Sequence, residues 1–100
     1  MKIRPFYAYF VAHILHNYFS DRKPVKPSEA FKRDMESIDY VMRSLSPTEK
    51  LLARDLYRDS VTDFSAKVSG AALRYNIKAA DVWNFVSGLE RRVAVERGLI

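Results

Sequence analysis

The residues best suited to chemistry lie near the C-terminus, on a helix predicted from about Ala79 to Glu96. Asn84 and Arg91 are seven positions apart, which places them on one helical face, and Lys78 precedes the helix. An asparagine amide can pair with the edge of an adenine in the major groove. Lysine and arginine contact phosphates, which position a duplex without reading its sequence. These residue types indicate contact with nucleic acid.

The full set of candidate contacts is larger, and its cations are not clustered on one face. Asp81, near the front of the predicted helix, would repel a phosphate backbone. The positive charges of the chain are also spread along its length and form no single basic stripe. The predicted DNA-binding residues share an outward position on this helix, just before it, or on the preceding helix: Lys67, Arg74, Lys78, Ala80, Asn84, Ser87 and Arg91.

Other chemistry finds little support in the sequence. His13 and His16 are three residues apart, but no Asp, Glu or Cys lies beside them at a spacing that suits a metal. Ser65, Ser69 and Ser87 have no histidine nearby in the sequence, and no glycine-rich phosphate loop is present. We therefore expect neither a metal site nor a cofactor, and we do not expect an enzyme.

Length and composition favour one all-α domain over residues 1–100. Apolar residues make up 48% of the 100 residues and charged residues 29%, as in a globular protein. The chain has 3 glycines and 4 prolines, which favours long helices over many short strands. Its net charge of +5 suits a nucleic acid, an acidic protein or an anionic membrane surface.

Cysteine content and hydropathy bear on location. The chain contains no cysteine, which excludes a disulfide framework and fits the reducing cytoplasm. The apolar run at residues 6–19 is shorter than the roughly 20 residues that a membrane span needs. It also contains His13, His16 and Asn17, and no signal peptide is recognisable. We expect a cytoplasmic protein that does not enter the membrane.

The N-terminal part, residues 1–20, is predicted to form an aromatic helix from about Pro5 to Phe19. Its apolar arc is wider than one core contact requires. Either the rest of the domain wraps this helix or the helix carries a self-association surface. A connector at residues 21–28 separates it from the helical part at 29–100. The residues predicted to contact a second copy or another partner are Phe6, Tyr7, Phe10, Ile14 and Tyr18.

Four further helices are predicted, over about residues 27–44, 46–58, 63–75 and 79–96. The third helix begins with a capping box, in which Ser46 and Glu49 satisfy each other's amide groups, and Pro47 suits the first helical position. "DSVTD" at 59–63 is predicted to end this helix and to supply capping oxygens for the next. Gly98 is the expected C-terminal cap. The residues predicted to be buried in the third helix are Leu51, Leu52, Leu56 and Tyr57.

The stretch "ALRYNIKAADVWNF" at 72–85 predicts two helices that meet at a tight corner. Ala72 is small enough for close approach, and Asn76 tolerates a left-handed backbone. We expect Ile77 to fill the angle between the helices and Trp83 to be half-buried at the domain edge. This packing suits a helix-turn-helix.

Together, "LSPTEKLLARDLY" at 45–57 and "ALRYNIKAADVWNF" resemble region four of bacterial sigma factors, the DNA-binding C-terminal region of those proteins. The whole chain resembles small phage or prophage proteins of Gram-positive bacteria, such as regulators of the ArpU and RinA kind. The residues at matching positions are Leu51, Leu56, Tyr57, Ala72, Asn76, Ile77, Val82 and Phe85.

The resemblance implies a DNA-binding transcriptional regulator, encoded by a phage or prophage, with contact to host RNA polymerase. A homodimer built on the N-terminal helix would double the few phosphate contacts of one copy. The alternative is a protein-interaction module that keeps the helix-turn-helix scaffold without binding DNA. The small residues on the outward face of the last helix motivate that alternative.

Overall fold

The computed structural model describes residues 4–58 and 63–100, which contain five α-helices and no strand. This confirms the all-α class. The predicted first helix begins three residues too early, because Pro5–Tyr7 form a turn in which the Ala8 amide donates to the Pro5 carbonyl at 3.0 Å. The helices are α1 Ala8–Phe19, α2 Glu29–Met42, α3 Pro47–Tyr57, α4 Phe64–Tyr75 and α5 Ala79–Arg97.

Side-chain caps fix where the middle helices begin. The Ser46 hydroxyl accepts from the Glu49 amide at 3.2 Å, and the Glu49 carboxylate accepts from the Ser46 amide at 2.9 Å. This is the predicted capping box at the start of α3. Ser28 caps α2 and Asp63 caps α4, each through an oxygen that accepts from a backbone amide. Residues 59–62, the rest of the predicted "DSVTD" break, lie outside the described residues.

The core lies where α5 packs against α1, α2 and α4. Val82, Val86, Leu89 and Val93 are buried at spacings of four, three and four along α5, which is one helical face. The apolar core cluster draws on all five helices. The largest fully buried side chains are Tyr57, Ile14, Leu15, Ile38, Leu56, Val11, Val41, Val68, Val82, Val86 and Val93.

Polar contacts at the two ends of α2 show that it runs antiparallel to α5. Near the start of α2, Asp34 accepts from the Arg97 guanidinium at 2.6 Å. At the other end, the Arg92 guanidinium donates to the Ser44 hydroxyl. The Asp34–Arg97 pair is largely buried, so it fixes the register of the two helices.

The prediction of burial is wrong for two residues. Leu51 is 45% exposed, because Leu52, Ala53, Leu56 and Tyr57 form the inner face of α3 and Leu51 lies off that arc. Ile77 is 40% exposed, so it does not fill the corner between α4 and α5 as predicted. Other residues of α4 and α5 fill that contact, among them the Phe64 and Trp83 rings, so the corner needs no further side chain between the helices.

Candidate nucleic-acid interface

The corner between α4 and α5 is built on a left-handed asparagine. Asn76 has φ 55° and ψ 49°, and it is the non-glycine residue with positive φ in the described chain. Its amide and that of Ile77 donate to carbonyls of the last turn of α4, at Leu73 and Ala72. This is the expected cap chemistry for a left-handed helix end. Only Lys78 then remains before α5 begins at Ala79.

The outward face of α5 is open to solvent. Ala80, Asn84, Ser87 and Arg91 are all exposed and follow helical spacing, so they form one line, here called the α5 stripe. From Ala80 to Arg91 the stripe extends about 17 Å at the rise of an α-helix. The structure therefore brings together four of the seven predicted DNA-binding residues on one surface.

Positive charge stands near the two ends of the α5 stripe. Lys78 precedes it and Arg91 lies at its far end, and neither forms an ion pair with any residue in 4–58 or 63–100. No lysine or arginine stands between them in the sequence, and the exposed Asp81 lies in the first turn of α5. The Asp81 carboxylate stabilises the helix N-terminus, and it would also oppose a phosphate there.

The two predicted contacts on α4 are placed differently. The Arg74 guanidinium lies 3.1 Å from the Asp55 carboxylate on α3, which also accepts from the Tyr75 hydroxyl at 2.5 Å. The bond to Asp55 raises the pKa of Tyr75. Asp55 therefore neutralises Arg74 in the free protein, although the Arg74 side chain is 66% exposed. Lys67 is half-buried on the same helix.

A buried carboxylate on α5, that of Glu90, was not predicted from the sequence. Glu90 is 3% exposed, and it accepts from the Arg4 guanidinium and, at 2.8 Å, from the Tyr57 hydroxyl. Burial raises the pKa of Glu90, while the bonds from Arg4 and Tyr57 act against that rise. Burial also raises the pKa of Tyr57 well above its ordinary value. Glu90 lies beside Leu89 and four residues after Val86, a spacing that could have revealed its burial.

Aromatic packing supports the N-terminal part of α5. The Phe64 ring lies 5.3 Å from the Tyr57 ring and 5.7 Å from the Trp83 ring. Trp83 is half-buried, as predicted for a residue that seals the domain edge. Its packing against Phe64 makes it a structural contact between α4 and α5 rather than a free platform for a base.

The two histidines have separate roles. His16 donates from Nδ1 to the Tyr57 carbonyl at 2.9 Å and so ties α1 to the end of α3. His13 is exposed and lies 3.4 Å from the Asn17 amide. Across the described residues, no group of three His, Cys, Asp or Glu side chains is placed to hold a metal ion.

The predicted partner residues divide between core and surface. Tyr7 and Ile14 are buried in the protein's own core, and Tyr18 is half-buried with its hydroxyl donating to Asp39 at 2.6 Å. Burial and the Asp39 carboxylate raise the pKa of Tyr18 to about 12. Phe6 and Phe10 remain accessible, and Tyr9, which was not predicted, joins them. We call Phe6, Tyr9 and Phe10 the aromatic surface.

Comparison of the chain with protein families, with curated proteins and with solved structures found no match. Among the helices of the described residues, none combines the length and the apolar character needed to cross a membrane.

Proposed function

We propose that this chain is a DNA-binding transcriptional regulator that contacts duplex DNA through α4 and α5, arranged as a helix-turn-helix. The observation that carries the proposal is the exposed α5 stripe, which directly follows a left-handed corner at Asn76. A helix presented in this way enters a major groove with its first turns, where base edges are accessible. The sequence resemblance to region four of sigma factors and to phage regulators of the ArpU and RinA kind supports the same assignment.

Each residue of the α5 stripe has a role in this proposal. Asn84, in the middle, pairs with an adenine edge. Ala80 and Ser87 are small enough to let the helix approach the bases, and an alanine methyl can pack on the methyl group of thymine. Lys78 and Arg91 contact phosphates on either side of the groove. The same resemblance extends the proposal to a contact with RNA polymerase.

The charge distribution sets the expected strength of binding. Lys78 and Arg91, the two cations near the ends of the α5 stripe, are free of ion pairs in the described chain. Because their contact with a duplex would release few counterions, binding to non-specific duplex should be weak and only moderately sensitive to salt. Arg74 can add a further phosphate contact if the duplex displaces Asp55.

Selection of binding sites from a pool of random duplexes tests the proposal. The wild-type chain should enrich a sequence that contains an invariant A·T pair. Asn84→Ala should lose about 1–3 kcal/mol of discrimination at that pair and should bind random duplex as the wild type does. Because Asn84 is exposed, the variant should remain folded. If the folded wild type enriches no sequence, the proposal that the protein recognises bases is contradicted.

A second candidate function is a protein-interaction module that does not bind DNA. The aromatic surface favours this candidate, because Phe6 is 81% exposed and Tyr9 is 78% exposed. The absence of cations between Lys78 and Arg91 also suits it. The absence of duplex binding at low salt, together with a protein partner that contacts the aromatic surface, would support this second candidate.

A further inference from the structure

We propose that the aromatic surface is a self-association surface, through which two copies of this chain form a two-fold dimer. The first observation is the division of the N-terminal segment into two faces. Tyr7, Val11 and Ile14 are buried in the core, whereas Phe6, Tyr9 and Phe10 are 81%, 78% and 43% exposed. Elsewhere in residues 4–58 and 63–100, only Tyr40 is an exposed aromatic.

The aromatic surface is held in place before any partner arrives. The Phe6 ring packs edge-on against the Tyr7 ring, with centroids 5.6 Å apart, and Tyr7 is itself anchored in the core. The Arg4 guanidinium lies 6.0 Å from the centre of the Tyr9 ring and is fixed by its ion pair with Glu90. Aromatic side chains that are already ordered lose little conformational entropy on binding.

The charge distribution favours a second copy of the chain as the partner that binds the aromatic surface. The chain carries a net charge of +5, so two copies repel each other except where uncharged faces meet. The aromatic surface has no Lys, Asp or Glu, and the guanidinium of Arg4 at its edge is neutralised by Glu90. Among the residues that the structure describes, an acidic partner would find no free cation on the aromatic surface, and an anionic lipid surface favours helices with Lys and Arg. Aromatic rings pack well against the rings of an identical face.

The exposed area predicts a weak dimer. An aromatic residue buries roughly 150–250 Å², and the exposed parts of the three residues add up to about two whole residues, or roughly 300–500 Å². A two-fold contact would bury roughly 600–1,000 Å² in total, less than the roughly 1,200–2,000 Å² of a standard interface. We expect a weak, reversible dimer that forms only at high protein concentration.

Sedimentation equilibrium of the full chain without DNA, from about 10 µM to about 1 mM, tests the proposal independently of DNA binding. The wild type should show a mass that rises with concentration toward the dimer. Phe6→Glu should weaken self-association at least about 10-fold, because it removes a central aromatic and sets like charges against each other. Val25→Glu is the matched control, since Val25 is 97% exposed on the connector and the change in net charge is the same.

The possible results distinguish a second copy of the chain from a lipid surface as the partner of the aromatic surface. Self-association that Phe6→Glu abolishes and Val25→Glu preserves, with both variants folded by circular dichroism, supports the two-fold contact. A wild type that stays monomeric at about 1 mM overturns the proposal. Equal loss in both variants also overturns it, because net charge would then be the cause. Co-sedimentation of a monomeric wild type with vesicles of anionic phospholipid would overturn it in favour of a lipid surface.

Discussion

Glu90 shows how one side chain can connect three parts of this molecule. Its carboxylate lies on α5 and receives hydrogen bonds from Arg4 in the N-terminal segment and from Tyr57 at the end of α3. The Arg4 guanidinium also lies 5.5 Å from the centre of the Phe64 ring on α4. A buried carboxylate is tolerated only with such partners, and so Glu90 fixes how α5 is presented.

The raised pKa of Glu90 leads to a pH-dependent stability. The folded state holds this proton more tightly than the unfolded state does, so the contribution of Glu90 is largest below pH 4.5, near its ordinary pKa. That contribution is lost as the pH rises through the folded-state pKa. Glu90→Gln keeps an acceptor for Tyr57 and removes the titration.

Urea unfolding of the wild type and Glu90→Gln from pH 4.5 to neutral pH measures this effect. The free energy of unfolding of the wild type, relative to the variant, should fall as the pH rises. Parallel profiles would show that the carboxylate has the same pKa in both states and would contradict the assignment.

Asp55 limits how far Arg74 can contribute to DNA binding. Asp55→Asn keeps an acceptor for the Tyr75 hydroxyl and releases the Arg74 guanidinium, which now lies 3.1 Å from the carboxylate. Affinity for random duplex at low salt should rise, and the salt slope should steepen by up to about 0.9, the value for one phosphate. Filter binding or fluorescence anisotropy measures both quantities.

Two further variants control this experiment. Glu36→Gln changes the net charge equally at an exposed position of α2 and should leave the slope unchanged. Adding Arg74→Ala to Asp55→Asn should cancel the gain. An equal gain in Glu36→Gln would show that net charge, and not Arg74, is responsible.

At the level of elements, the α4–α5 corner depends on the backbone of Asn76. With φ at 55°, a β-branched residue is strained, whereas glycine is not. Asn76→Val should lower the free energy of unfolding by about 1–3 kcal/mol, and Asn76→Gly should leave it unchanged or raise it slightly. Ser69→Val, at an exposed position within α4, should cost less than about 0.7 kcal/mol. Similar losses for Asn76→Gly and Asn76→Val in urea would contradict a left-handed corner.

The elements were easier to predict than their packing. Capping chemistry is local, so Ser46 with Glu49, Asn76 and Gly98 marked helix ends correctly from the sequence. Which face of a helix is buried depends on neighbours far along the chain. Leu51 and Ile77 were wrongly assigned to the core for this reason. The Glu90 network depends on residues 33 and 86 positions away, which no local pattern reveals.

The candidate site shows the same division between local and distant contacts. The line of exposed residues on α5 follows from helical spacing and could be predicted. The ion pair between Arg74 and Asp55 and the burial of Tyr7 and Ile14 follow from the tertiary arrangement. These contacts decide which predicted residues are free to meet a ligand.

For the whole molecule, the central question is whether cations beside α5 contribute to its affinity for duplex DNA. Ion pairs already occupy several cations, including Arg4, Arg58 and Arg97. Lys78 and Arg91 are without an ion pair in the described chain, and they stand near the ends of the α5 stripe. Exposed cations such as Lys26 and Arg33 also have no ion pair in the described chain. Because of their position near the ends of the α5 stripe, we expect Lys78 and Arg91 to contribute more to duplex affinity than these other cations.

The most direct measurement is the affinity for random duplex DNA at about 50 and 200 mM salt. We would compare the wild type, Lys78→Ala/Arg91→Ala and the matched control Lys26→Ala/Arg33→Ala, whose cations are exposed on the connector and α2. The account predicts binding at low salt, with a slope reduced by about 1.8 in the first variant and little changed in the control. No binding by the folded wild type, or equal losses in both variants, would contradict duplex contact through α5.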